Sequence, residues 1–304
     1  MGSDDIVALV EYAPPDAVAG RRSVATGVAL AAIHLGACAA LIPALFSWSG
    51  LAVAAVLYYL TGGVGICLGY HRLLTHRSMR LARPLEYVVA TLGVLAMQGG
   101  PISWVATHRA HHAFSDTARD PHDSRRGFLW SHAGWLYRRN PARLSRDDQN
   151  RFAADLATDP YYGFLEASAP WWQLMLALAL FSIGGWSWVI WGVFLRLVVT
   201  YHATWLVNSA AHLWGYRTFR APGRDRSTNS WWVALIAWGE GWHNNHHAFP
   251  SSARHGLLWF EFDVTWWTIE LLRLLRIAHD VRVPSQAQSQ RRMIARARRD
   301  LLIR

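Results

Sequence analysis

The chain has 304 residues, of which 52% are apolar and 16% charged. A soluble domain carries nearer ~25% charge, so the deficit points to a bilayer. The net charge is +10 and every basic residue is arginine, which beside apolar spans suits an anionic membrane face or substrate rather than nucleic acid; two cysteines, Cys38 and Cys67, both in apolar runs, exclude a disulfide framework or zinc ribbon.

Residues 1–23 begin acidic and polar. They lack the basic-then-apolar pattern of a secretory signal and are expected to stay in the cytoplasm. Residues 24–46, 51–70, 171–185 and 186–207 are apolar, and roughly 20 such residues cross a bilayer. Only helices satisfy their own backbone in hydrocarbon. The links 47–50 and 183–187 are uncharged and read as tight turns of two helical hairpins. Thirteen arginines lie from Arg72 to Arg151, and more from Arg217 onward. Cytoplasmic segments collect such charge. Both turns therefore face away from the cytoplasm, and the remaining segments and both termini face it, as in a bacterial inner membrane.

The run 85–97 is too short to cross. The run 256–275 is interrupted by Glu261, Asp263, Glu270 and Arg273. Both are expected to be interfacial or buried helices. Residues 24–284 form one domain. The polar, basic tail 285–304 is either a surface helix on anionic lipid or solvated.

Fifteen histidines are present, and their spacing is informative. Positions i, i+3 and i+4 share a helix face. His108, His111 and His112 fit this, as do His243, His246 and His247, so each trio can aim at one small volume. Asn208 and His212, at i and i+4, also share a face. His71 and His76 are five apart, roughly 140° on an ideal helix. They converge only if the helix ends, bends, or gives one to each of two metals. All four elements fall on the cytoplasmic side, provided 85–97 does not cross. Nine imidazoles suit two metals, and imidazole takes iron, zinc, copper or nickel. Oxygen chemistry selects iron, and Asn208 is placed to hold a metal-bound water. Asp120, His122, Asp123 and Glu240 are candidates to stand behind ligating rings and fix their orientation. The single histidines His34, His132, His202, His255 and His279 read as structural. Arg125, Arg126, Arg138 and Arg139 either bind substrate phosphate or set topology.

The ordered boxes H-R-x-x-x-H (71–76), H-R-x-H-H (108–112) and H-N-x-H-H (243–247) resemble those of membrane fatty-acyl desaturases. The resemblance extends over residues 58–267 and includes 100–104, 120–128, Ser131, His132, Gly134, Trp135, 208–212 and 239–242. It is nearest the Δ9, stearoyl-type branch. It implies an all-α integral membrane protein, with four transmembrane helices and a cytosolic helical cap holding a di-metal site. The nine box and partner histidines, His71, His76, His108, His111, His112, His212, His243, His246 and His247, match the family's di-iron ligands, and Asn208 its water-bridged position. Zinc is a known kind of substitute after purification. A kinked tunnel implied beneath the irons ends at Tyr59, and Arg138 and Arg139 match basic residues at a CoA-contacting surface. The charged pair of the animal acyl-CoA enzymes is replaced by Ala106 and Thr107. The implied substrate is therefore an acyl chain on CoA or on a membrane glycerolipid. O₂ and a separate ferredoxin-, rubredoxin- or cytochrome-type donor complete the reaction. A di-iron hydroxylase is the neighbouring enzyme reading. A haem carrier would need facing histidines within spans, and a metal transporter more ionisable groups in the bilayer core.

Overall fold

The structure, a computed structural model, describes residues 23–295 and residue 297. The N-terminal segment 1–22 and the end of the basic tail lie outside the described residues. Helix α1 (Val24–Cys38) starts at Ser23, whose hydroxyl accepts the Thr26 amide. Its outer face carries Val24, Val28 and Leu35 fully to the surface, as hydrocarbon favours. The expected span 24–46 is helical only to Cys38, followed by two 3₁₀ turns, Ala39–Leu41 and Pro43–Leu45.

Helix α2 (Trp48–Tyr58) opens with Ser47 accepting the Gly50 amide at 2.9 Å. It runs unbroken into a π-wound segment, Tyr59–Thr75. The whole is 28 residues, or about 42 Å at 1.5 Å per residue, against ~30 Å of hydrocarbon. Its last turns therefore have length to spare, and the first histidine box lies on the helix itself rather than after it. Helix α3 (Arg83–Val94) confirms the short run as a helix that packs on α2. A Cβ on Gly65 would come within 2.5 Å of the α3 backbone at Leu92 and Gly93, so glycine there permits the close approach.

Helix α4 (Pro101–Phe114) carries the second box. Glu166 caps it from elsewhere in the chain, accepting the Ile102 and Ser103 amides at 2.9 and 3.0 Å. Helix α5 (Pro160–Val189) continues through a π turn, Ile190–Leu195, into α6 (Arg196–Asn208). Gly185, at φ 61° and ψ −155°, breaks the run inside the expected turn 183–187. The break sits against the α1–α2 connection: Ser47 and Ser187 hydroxyls are 2.7 Å apart, and the Trp191 indole donates to the Leu45 carbonyl at 3.0 Å. Arg196 in α6 is buried, with its guanidinium satisfied by Gly192 and Leu95 carbonyls and the Gln173 amide oxygen.

Helix α7 (His243–Ala248) holds the third box. The expected helix over 256–275 forms only as α8 (Val264–Leu274), because Asp263 caps it, accepting the Trp266 amide at 2.9 Å. Helix α9 (Gln286–Arg292) begins with a Ser285–Gln288 capping box. The described residues contain isolated β-bridges but no strand. Three helical stretches, Val24–Leu41, Trp48–Thr75 and Pro160–Leu213, are long and apolar enough to cross a membrane.

Candidate metal centre

The π winding of Tyr59–Thr75 resolves the first box. A helix bonded i to i+5 brings positions five apart to one side. The His76 amide donates to the His71 carbonyl at 3.1 Å, and the two rings sit 4.9 Å apart. No bend or sharing between metals is needed.

The nine histidines gather into two groups. His71, His76, His108, His112 and His246 place one ring nitrogen each within 4.8 Å of one another, and so do His111, His212, His243 and His247. Each trio therefore straddles two groups instead of serving one volume. Helix α4 gives His108 and His112 to the first and His111 to the second. Helix α7 gives His246 to the first and His243 and His247 to the second. The groups touch where His112 stacks on His247, ring centres 4.3 Å apart.

Carboxylates stand behind four rings. Glu240 Oε2 lies 2.7 Å from His71 Nδ1. Asp120 accepts from His111 Nδ1 at 3.0 Å, and Asp116 from His212 Nδ1 at 3.1 Å. Asp225 Oδ2 is 2.5 Å from His247 Nδ1. Burial alone would raise these acids, but the adjacent imidazoles hold Asp120 down at about 2 and Asp225 well below the carboxylate range. Arg72, His71 and His255 do the same for Glu240. The carboxylates orient the four rings with Nδ1 toward an acid and Nε2 toward the interior of the groups.

Ring nitrogens crowd together inside the groups. His111 Nε2 and His247 Nε2 face each other at 3.3 Å. His243 Nε2 lies 3.0 Å from both His212 Nε2 and His247 Nε2 and has one proton at most. Extra protons are disfavoured on six of the rings: burial pushes His247 to about 4 despite Asp225, and burial with neighbouring rings holds His76, His108, His112, His243 and His246 well below the usual histidine value, whereas Asp116 raises His212 against burial. His76 Nε2 is buried without a partner. A set of neutral nitrogen donors with converging lone pairs fits two divalent transition-metal ions.

The surrounding residues fall partly as expected. Asp120 and Glu240 back histidines, though Glu240 serves His71 and not the nearby His243. The His122 ring lies 4.2 Å from that of His111, tilted 33° to it, and its amide donates to Asp120. Asp123 turns away, because its carboxylate is taken by Arg125 and by the turn it caps. Asp116 and Asp225 were not anticipated. Asp116 lies beyond the end of α4 and pairs with His212, 96 positions away, so no local spacing marks it. His255, set aside as structural, has Nδ1 3.1 Å from Glu240 and its ring 4.4 Å from His246. Arg72, inside the first box, is fully buried and bonds Glu240, Asp263 and the Ala253 carbonyl. His34, His202 and His132 form a separate chain of ring contacts, at 3.2 and 2.9 Å, ending on Ser209. Arg138 and Arg139 are exposed.

Two cavities flank the histidines. One, of about 50 Å³, is mainly apolar, with Tyr58, Gly62, Ile66, Ala203, Val207 and Trp238 in its wall. The other, of about 370 Å³, runs from Thr26 and Leu30 on α1 to polar Asn140, Arg143 and Gln149. Trp104, His108, Thr204 and Asn208 line both. At this shared wall Gln98 donates to Thr204 at 2.9 Å and accepts from the Trp104 indole at 3.4 Å. Tyr59 does not line the apolar cavity. It packs behind, its ring 5.2 Å from Trp238 and its hydroxyl on Thr268, while Tyr58 takes the lining position.

The sequence profile of the fatty acid desaturase family matches residues 46–272, a stretch that contains all nine histidines. The chain belongs to the fatty acid desaturase family. The desaturase is 55% identical over 256 residues to an sn-1 stearoyl-lipid 9-desaturase of Anabaena variabilis, covering 84% of this chain and 92% of that one. It is 50% identical to an sn-2 palmitoyl-lipid 9-desaturase of Nostoc sp. (strain 36), over 81% and 86% of the two chains. It is 43% identical to an acyl-CoA 5-desaturase of Anemone leveillei, over 82% and 77%.

Proposed function

We propose that this desaturase introduces a cis double bond at the 9-position of a saturated acyl chain carried on a membrane glycerolipid. The observation that carries the reading is the apolar cavity whose wall runs from Tyr58 and Trp238 to His71 and His108 of one histidine group and His243 of the other. The balanced reaction takes –CH₂–CH₂–, O₂, two electrons and two protons to –CH=CH– and two waters. Two iron ions would be held by the nine histidines, with Asn208 close by, and would supply the O₂ activation and oxidising power that removes the two hydrogens.

The protein's part is placement. Asp116, Asp120, Asp225 and Glu240 lock four rings with Nε2 inward. The apolar cavity takes the methyl end of the chain and excludes water. The Gln98–Thr204–Trp104 brace sets where the chain turns from one cavity into the other, and so which methylene pair lies under the histidines. The polar end of the larger cavity, at Asn140, Arg143 and Gln149, suits a lipid headgroup. Arg138 and Arg139 are further cationic contacts for it. A lipid carrier is supported by the uncharged Ala106 and Thr107 and by the names of the cyanobacterial relatives.

The membrane arrangement follows the charge pattern. Helices α1 and α2 make one hairpin and the two arms on either side of Gly185 another, giving four crossings. The histidines and both termini are cytoplasmic. A separate one-electron carrier supplies reductant. Expression in a host with a reductant, with new double bonds mapped across lipid and CoA pools, tests the reading. Double bonds at C9 of glycerolipid acyl chains are expected. Hydroxylated products, or unsaturation confined to acyl-CoA, would overturn it.

A further inference from the structure

A basic surface lies directly over the four-histidine group. Residues 217–220 run beside 292–294: the Arg220 amide donates to the Arg292 carbonyl at 2.8 Å, and the Ile294 amide to Thr218 at 3.0 Å. Arg217, Arg220, Arg224, Arg226, Arg291 and Arg292 are all exposed. Residues 217–227 and 285–295 contain one acid, Asp225, which is buried and turned inward onto His247. The surface thus displays six cations and no exposed carboxylate of its own segments.

Beneath it the path to the histidines is short. The amide of exposed Arg226 donates to Asp116 at 2.7 Å, and Asp116 holds His212. Asp225, one residue before, holds His247 at 2.5 Å. Arg292 lies over the Phe249 ring and bonds the Ala248 carbonyl at the end of α7. The carboxylate behind the other group, Glu240, backs instead onto buried Arg72, which also binds Asp263. One carboxylate and one imidazole separate this surface from the inward nitrogens of the four-histidine group.

We propose that this arginine surface docks a small one-electron carrier protein with an acidic face, and that electrons enter through Asp225–His247 and Asp116–His212. The inference rests on the desaturase reading above, which needs two electrons per double bond. Each docking event oxidises the carrier by one electron and reduces the metal pair by one, so two events serve one turnover. Opposed charge steers such encounters and makes their rate fall with salt.

The test uses metal-loaded full-length protein in nanodiscs and an acidic [2Fe–2S] ferredoxin, pre-reduced, in stopped flow. The triple variant Arg220→Glu/Arg224→Glu/Arg291→Glu is expected to lower the second-order rate of metal-centre reduction about tenfold or more at low salt. It should also remove most of the salt dependence. Reduction by dithionite and the metal content should be unchanged, which separates docking from misfolding. Arg80→Glu, an exposed arginine elsewhere, should behave as wild type. Equal rates for the triple variant and wild type would overturn the proposal, as would a loss that appears only with anionic lipids in the disc, which would make this a lipid-facing surface. Failure of the ferredoxin to reduce wild type would also overturn it. Double-bond formation driven by dithionite would in that case leave the desaturase reading standing.

Discussion

Arg72 donates through Nε and Nη2 to one oxygen of Glu240, at 3.1 and 3.0 Å. The same guanidinium bridges to both oxygens of Asp263. It is the counter-charge for two buried acids that stand behind His71 and cap α8. Arg72→Met should leave both acids uncompensated. Breaking a buried pair from one side costs about 3–5 kcal/mol. A large fall in the thermal midpoint in detergent is expected, with Arg72→Lys intermediate because a point charge cannot serve both carboxylates. A midpoint within a degree of wild type for Arg72→Met would refute this role.

Tyr58 and Trp238 wall the apolar cavity, and their rings are 4.9 Å apart. Tyr58→Ala should deepen it and shift the preferred substrate toward longer chains. At about 0.8 kcal/mol per buried methylene, a chain two carbons longer should gain roughly tenfold in kcat/KM relative to the native length. Tyr59→Phe removes only the hydroxyl bond to Thr268 and should leave product lengths unchanged. Gas chromatography of the products decides; a longer product from the Tyr59 variant alone would reverse the assignment.

Asp116→Asn and Asp225→Asn should each loosen one ring of the four-histidine group. Loss of such a partner typically lowers metal affinity roughly 10–100-fold. Metal content after challenge with a chelator, by mass spectrometry, should fall in these variants. It should hold in Asp123→Asn, whose carboxylate faces Arg125. Equal retention in all three would remove the carboxylates from any part in holding metal.

His255 supplies a pH-dependent term. Burial and the Arg72 charge push it down to about 4, against the pull of Glu240, whereas an unfolded histidine titrates near ~6.5. Between these values the unfolded chain binds more protons, so this residue's contribution favours the unfolded state increasingly as pH falls from ~6.5 toward 4. His212, raised by Asp116 against burial, runs the opposite way. Metal-free protein should therefore lose thermal stability across that window, and His255→Gln should flatten the slope. An unchanged slope would show that His255 is not neutral in the folded state.

The histidine pattern was legible because metal binding demands one residue type at helix-face spacing. The turn around Gly185 was legible because an uncharged, glycine-containing link between two apolar runs leaves few choices. What surrounds the rings was not. The π winding of Tyr59–Thr75 has no spacing signature in the sequence, yet it brings His71 and His76 into one group. Asp116 reaches a histidine 96 positions away, and such a pairing is a product of tertiary folding. Half of 256–275 failed as a helix because Asp263 is recruited by Arg72, a partner remote in sequence.

Helix α7 is six residues long and lends rings to both histidine groups. Helix α4 does the same, so the spacing between the two groups is tied to the pitch of two short helices. Neither group can therefore be reshaped without shifting a ring of its neighbour.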